Sequence, residues 1–199
     1  MGIIRTLFRP LVLQEKIQTI LEYWYSRGIS WWGPAATRTP IEILCYMRGL
    51  KGFLVDTFRQ LEKIKETSDA LIDGLIASTL IQARRFRKYT NLVFIACHRG
   101  GNTYFSPRRF CDLYLPYLKK LVNALAKEGF YPFLHMDGEW TLNLEYLREL
   151  PAKSVVIELD GATDIFKAKK ILGDHLCIKG DVPASLLALG SRLEVENYC

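Results

Sequence analysis

The sequence predicts an α/β protein built on a parallel sheet. From residue 91 onward, short apolar runs of strand length alternate with helical patterns, separated by polar or glycine turns. Such alternation implies right-handed helical crossovers between parallel strands. With 49% hydrophobic and 24% charged residues, the chain has the apolar content to bury a core. Its 199 residues correspond to one domain or part of a larger one.

Residues 11–27 read as an amphipathic lead-in helix, with Leu13, Ile17, Ile20, Leu21 and Trp24 at helical spacing and Gly28 as its stop. The stretch Trp31-Trp32-Gly33-Pro34 reads as strand or loop and offers a fifth strand near Trp31. Thr39 and Pro40 are start signals for a short helix over 40–48, which Gly49 and Gly52 should end. A long helical pattern then runs over 58–88, with a bend expected near Gly74. The alternating part follows, with strands at 91–97, 131–136, 154–159 and 175–179. Helices are expected between them at 107–128, 140–149 and 163–172. Ser106-Pro107 and Thr163 serve as starts, Gly129 and Gly173 as stops. No linker divides the chain, so 1–199 is read as a single domain with a helical lead-in over 1–30.

Charge and cysteine usage exclude several classes. The net charge of +6 sits in the first half, where residues 1–100 carry 15 basic and 8 acidic groups. Much of that excess is Arg84, Arg85, Arg87 and Lys88, which read as a solvated helix end complementing the helix dipole. No basic-aromatic interleaving supports nucleic-acid binding. Five cysteines without a Cys-x-x-Cys pair argue against a disulfide framework or zinc ribbon and fit a reducing cytoplasm. No apolar run approaches about 18 residues, so no membrane association is expected. The opening Met1-Gly2-Ile3-Ile4-Arg5-Thr6 matches a myristoylation pattern short enough to arise by chance.

Parallel βα architectures place ligands at the carboxyl ends of their strands. With a period of two, one face of the four strands ends in His98, then His135 and Asp137, then Glu158 and Asp160, then Lys179 and Asp181. A parallel sheet covered on both sides wants apolar residues there, so charged groups converging on one rim suggest chemistry. Turn formation competes as the explanation for Asp160-Gly161 and Asp137-Gly138. His135-x-Asp137 puts two ligand types on one side of a strand, half of a divalent-cation site. A third ligand could come from His98, Glu158 or further sequence.

Several segments in order resemble the uroporphyrinogen decarboxylase superfamily: Phe105-Ser106-Pro107-Arg108-Arg109-Phe110, Leu115-Pro116-Tyr117-Leu118-Lys119-Lys120-Leu121-Val122 and His135-Met136-Asp137-Gly138. The tail, from Ala168 through Lys179-Gly180-Asp181-Val182-Pro183 to Glu194-Val195, extends the resemblance, which covers roughly residues 33–199. It implies a (β/α)8 TIM barrel, of which four to five βα units are present, with strands missing at both ends. The superfamily also holds zinc-dependent methyltransferases that work with corrinoid proteins and carry His-x-Cys-Gly where this chain has His135-Met136-Asp137-Gly138. The resemblance therefore implies, as first choice, a methyltransferase with zinc on His135 and Asp137 and a corrinoid protein as partner. His98, Glu158 and Asp160 would be its catalytic or supporting groups, and Lys179 and Asp181 its substrate-binding ones. Tetrapyrrole decarboxylation on the same rim is the second choice, and a non-catalytic barrel fragment that needs a partner the third. An open part-barrel should let solvent reach its inner face near Phe94 and Val156 and should self-associate through its edges.

Overall fold

The computed structural model describes residues 15–29 and 34–199. The myristoylation pattern and the expectation at Trp31 lie outside the described residues. Helix α1 is described over 15–25, and the chain turns at Gly28, whose φ of 75° suits a residue without Cβ.

Five strands follow: β1 (Ala36–Arg38), β2 (Leu92–Ala96), β3 (Tyr131–Met136), β4 (Val156–Leu159) and β5 (Cys177–Lys179). They form one sheet in the order β1-β2-β3-β4-β5, with every pairing parallel. The fold is thus the predicted α/β class, a parallel sheet flanked by helices, consistent with part of a (β/α) barrel. A fifth strand among the described residues stands at Ala36–Arg38.

Helices α2 (Pro40–Arg48), α3 (Leu50–Arg59) and α4 (Leu61–Arg85) join β1 to β2. Gly49 ends α2 as expected, and α3, which the sequence reading did not place, starts directly after it. Gly49, at φ 77°, turns the chain once, and Gly52 lies inside α3. The break before α4 falls at Gln60, and α4 runs without interruption through Gly74. At its basic end Arg84 pairs with Glu128 at 2.9 Å and Lys88 with Glu22 at 3.5 Å, so the cations dock neighbouring elements.

Between β2 and β3, α5 (Pro107–Arg109) passes through a π turn at Phe110–Tyr114 into α6 (Leu115–Lys127). Ser106 caps α5, accepting the Arg109 N–H at 3.4 Å. The helix expected over 140–149 is two 3-10 turns, Thr141–Asn143 and Glu145–Glu149. Helix α7 (Ile165–Leu172) precedes β5, and its cap is Asp164, whose carboxylate accepts the Phe166 and Lys167 N–H groups at 3.0 Å. Thr163 was expected there. It instead lies buried, accepting the Trp140 N–H and donating to the Gly138 carbonyl, both at 2.9 Å. Helices α8 (Ala184–Leu189) and α9 (Arg192–Tyr198) end the chain.

The sheet has two unlike faces. Val93, Ile95, Leu134, Met136, Ile157 and Leu159 are fully buried in the core with Leu118, Leu121 and Val122 of α6. The opposite face carries two rows in register: Ala36, Phe94, Phe133, Val156 and Cys177, and then Arg38, Ala96, His135, Glu158 and Lys179. Phe94 and Val156 are half-buried, and Phe94 stacks on Phe133 with centroids 6.1 Å apart.

Candidate active site

The second row is the rim, and its polar groups form one connected chain. From β5, the Lys179 ammonium donates to Glu158 Oε1. Glu158 Oε2 meets His135 Nδ1 at 2.5 Å, and His135 Nε2 meets Asp137 Oδ1 at 3.2 Å. Asp137 Oδ2 faces His98 Nε2 at 3.6 Å, and His98 Nδ1 lies 3.2 Å from the Tyr46 hydroxyl on α2. Phe94 packs on the His135 ring at a centroid distance of 5.4 Å, and the two imidazoles meet edge to face at 5.8 Å.

The charges follow from these contacts. Burial pushes the Glu158 carboxyl upward. The hydrogen bonds and charges of Lys179 and His135 outweigh it and hold the carboxyl below its ordinary range. Glu158 is therefore a carboxylate at neutral pH, and His135 must present Nδ1–H to it. His98 is lowered, first by burial and then by the charges of His135, Arg99 and Arg38, against the opposing pull of Asp137. Its ring is therefore neutral at pH 7.

A depressed Glu158 links stability to pH with a definite sign. Between the folded and unfolded pKa values the unfolded chain binds more protons, so stability rises with pH there. The contribution is complete above the ordinary value of 4.5 and is lost as pH falls through the depressed one. Urea denaturation of wild type and Glu158→Gln should show a gap that is widest near pH 7 and closes steadily below pH 4.5. A gap independent of pH would mean that Glu158 is not held as a carboxylate.

One buried carboxylate holds the rim from behind. Thr39 and Glu42 have the spacing of a capping box, and the Thr39 hydroxyl accepts the Glu42 N–H at 3.5 Å. The Glu42 side chain leaves that motif: its Oε1 accepts the Arg99 N–H at 2.6 Å and the Tyr114 hydroxyl at 3.1 Å. Glu42 is wholly buried, which pushes its carboxyl upward. The contact ties α2, which carries Tyr46, to the loop that carries His98.

A tryptophan fixes the loops on the other side. Trp140 is fully buried, its indole N–H donates to the Asp137 carbonyl at 3.0 Å, and its backbone N–H donates to Thr163. A Cβ on Gly100 would come within 2.2 Å of the Trp140 ring, so only glycine lets the loop after His98 pass.

Of the residues expected at the site, the structure joins His98, His135, Asp137, Glu158 and Lys179. Asp160 and Asp181 stand apart from the chain. Asp160 accepts the Gly138 N–H at 2.8 Å and the Ala162 N–H at 3.0 Å, the work of a turn former. Asp181 accepts the Tyr198 hydroxyl at 3.3 Å. Arg38, Glu42 and Tyr46 were missed. Arg38 ends β1 as Lys179 ends β5, and placing that strand correctly would have found it.

One nitrogen or oxygen each from His98, His135 and Asp137 lie within 4.8 Å of one another. Two imidazoles and a carboxylate suit a divalent cation, and Glu158 behind His135 supplies the outer hydrogen bond that metal-binding histidines commonly make. Among the described residues, no helix is long and apolar enough to cross a membrane.

No curated protein and no solved structure matches the chain. A family does match, over residues 35–199, and it is that of the decarboxylase. This overturns the first-choice expectation of a methyltransferase working with a corrinoid partner, which nothing in the fold or the rim supports. The rim departs from that branch at its own motif too, since Asp137 offers a hard oxygen where the branch has a thiolate. The chain belongs to the uroporphyrinogen decarboxylase (URO-D) family.

Proposed function

We propose that the rim removes a carboxyl group from a carboxylate-bearing tetrapyrrole of the uroporphyrinogen type. The observation that carries this reading is His135 held between two carboxylates, Glu158 and Asp137, in a chain of the decarboxylase family. When a carboxylate leaves as CO2, its C–C bond breaks, the electron pair stays on carbon, and a proton must be delivered there. A doubly protonated His135 donates from Nδ1 to Glu158 and from Nε2 toward Asp137. Transfer of the Nε2 proton to the substrate carbon leaves a neutral ring whose Nδ1–H still rests on Glu158. Lys179 keeps Glu158 ionised throughout, and the pyrrole ring of the substrate accommodates the developing charge.

The ligand spacing of His98, His135 and Asp137 supports a second reading, in which zinc occupies the cluster. When bound, the cation would polarise a substrate oxygen as a Lewis acid. One assay separates the two. Uroporphyrinogen is incubated with the protein under reducing conditions, and CO2 and less carboxylated products are followed with and without a chelator. Turnover that survives chelation supports the metal-free reading. Turnover lost on chelation and restored by zinc supports the second. Absence of CO2 from folded protein defeats both. The open sheet, with β1 and β5 outermost among the described strands, supports self-association through these edges.

A further inference from the structure

Outside the rim, the end of α3 and the start of α5 enclose a cleft of about 470 Å³, within the range of small-molecule sites. Phe58 of α3, Tyr104 and Ser106 of the loop after β2, and then Arg108, Arg109 and Asp112 line it. Among the described residues that line it, none belongs to the rim chain. Its three charged groups are unmatched: among the described residues, Arg108, Arg109 and Asp112 enter no ion pair. An α-helix brings residues four apart together, which would neutralise Arg108 with Asp112. The π turn over Phe110–Tyr114 alters that alignment. The Phe58 ring is 79% exposed, with the Arg109 guanidinium 5.3 Å from its centroid.

We infer that this cleft binds a nucleoside monophosphate, with the phosphate on Arg108 and Arg109, the sugar hydroxyls on Asp112 and the base against Phe58. Each part of that ligand meets a group of matching chemistry. A phosphate monoester carries about −1.5 to −2 charge at neutral pH, which calls for two cations where a carboxylate calls for one. Guanidinium suits the task because its planar fork donates two parallel hydrogen bonds to phosphate oxygens. Asp112 repels a bare anion, so a ligand held here must also offer hydrogen-bond donors to that carboxylate. Ribose hydroxyls are such donors, and an acidic side chain takes them in other nucleotide sites. The exposed Phe58 ring gives the base a face to stack on. The assignment is independent of the decarboxylase reading, because the cleft and the rim chain share no residue, and binding rather than turnover reads it.

Titration calorimetry on the full chain tests it, with AMP, ribose phosphate, adenosine and inorganic phosphate as probes. AMP should bind about tenfold tighter, or more, than each of the other three. Arg108→Gln and Arg109→Gln should each weaken AMP about tenfold and leave adenosine unchanged. Phe58→Ala should lower AMP to the affinity of ribose phosphate, which itself should not change. Asp112→Asn should weaken AMP and tighten inorganic phosphate, since it removes a repulsion together with the acceptor for the sugar. Phe58 and Arg108 are exposed, so their variants test the cleft even if a change at Arg109 disturbs the packing. Arg192→Gln, on α9, and His135→Ala, on the rim, should bind AMP as wild type does. Inorganic phosphate as tight as AMP would reduce the cleft to an anion site and overturn the nucleotide assignment. AMP binding that is indifferent to Arg108 and Arg109, or lost in His135→Ala, also overturns it. So does displacement of AMP by uroporphyrin, which would give the cleft to the substrate, or no binding of AMP at millimolar concentration.

Discussion

Replacing His135 by alanine is expected to lower decarboxylation by about a hundredfold to ten-thousandfold, the range a positioned acid or base contributes. The size follows from the position of the ring. His135 is the only group in the rim chain flanked by two carboxylates, and no neighbour replaces it. His98 is held neutral by burial and by the charges of His135, Arg99 and Arg38. Lys179 is committed to Glu158. Removing the ring also leaves Glu158 with Lys179 alone and releases Asp137 toward His98. The fall should therefore appear in kcat, with KM little changed. Zinc binding by equilibrium dialysis reads the same variant independently: if the cluster holds a cation, occupancy collapses, since one of its three ligands is gone. Activity within threefold of wild type would remove His135 from the chemistry.

The largest expected effect on stability belongs to Trp140→Ala, about 3–5 kcal/mol, as for other fully buried large aromatics. Trp140 meets Phe110 at 5.9 Å and Tyr114 at 6.1 Å, both edge to face, and Phe110 stacks on Tyr114 at 5.6 Å. Deleting the indole opens a cavity between the π turn and the sheet and orphans the Asp137 carbonyl. At about 2–4 °C per kcal/mol for a chain of this size, the melting midpoint should drop by about 6–20 °C. Phe166→Ala is the control: that ring is 83% exposed, and its loss should cost no more than about 0.5 kcal/mol. Thermal and urea melts of the two variants check the pair. Equal midpoints would mean that the aromatic cluster is not a centre of the core.

Much of this was legible in the sequence because it depends on local periodicity. Alternation within four apolar runs located β2 to β5, and a period of two put His98, His135, Asp137, Glu158 and Lys179 on one face. What escaped depended on contacts between distant segments. Thr39-x-x-Glu42 has the form of a cap, and only the approach of the Arg99 N–H shows where the carboxylate goes. Asp160 and Asp181 have the strand-end spacing of site residues, yet turn N–H groups and the Tyr198 hydroxyl claim them. Strand β1, Ala36-Thr37-Arg38, carries no apolar run for alternation to announce, so Arg38 went unnoticed. Helix α3 was hidden by two glycines, one of which sits inside it. The methyl-transfer expectation rested on the likeness of His135-Met136-Asp137-Gly138 to that branch's motif, and the family match over residues 35–199 overturns it.

The rim row draws Arg38, Ala96, His135, Glu158 and Lys179 from five strands spread over most of the sequence, each giving one side chain. The residues that hold the strands together point the other way, into the helix-covered core. Selection can therefore exchange one rim group at a time without disturbing the packing that builds the sheet. Ala96, with its single methyl between Arg38 and His135, is where a newly acquired side chain would change what the rim accepts while every strand kept its place.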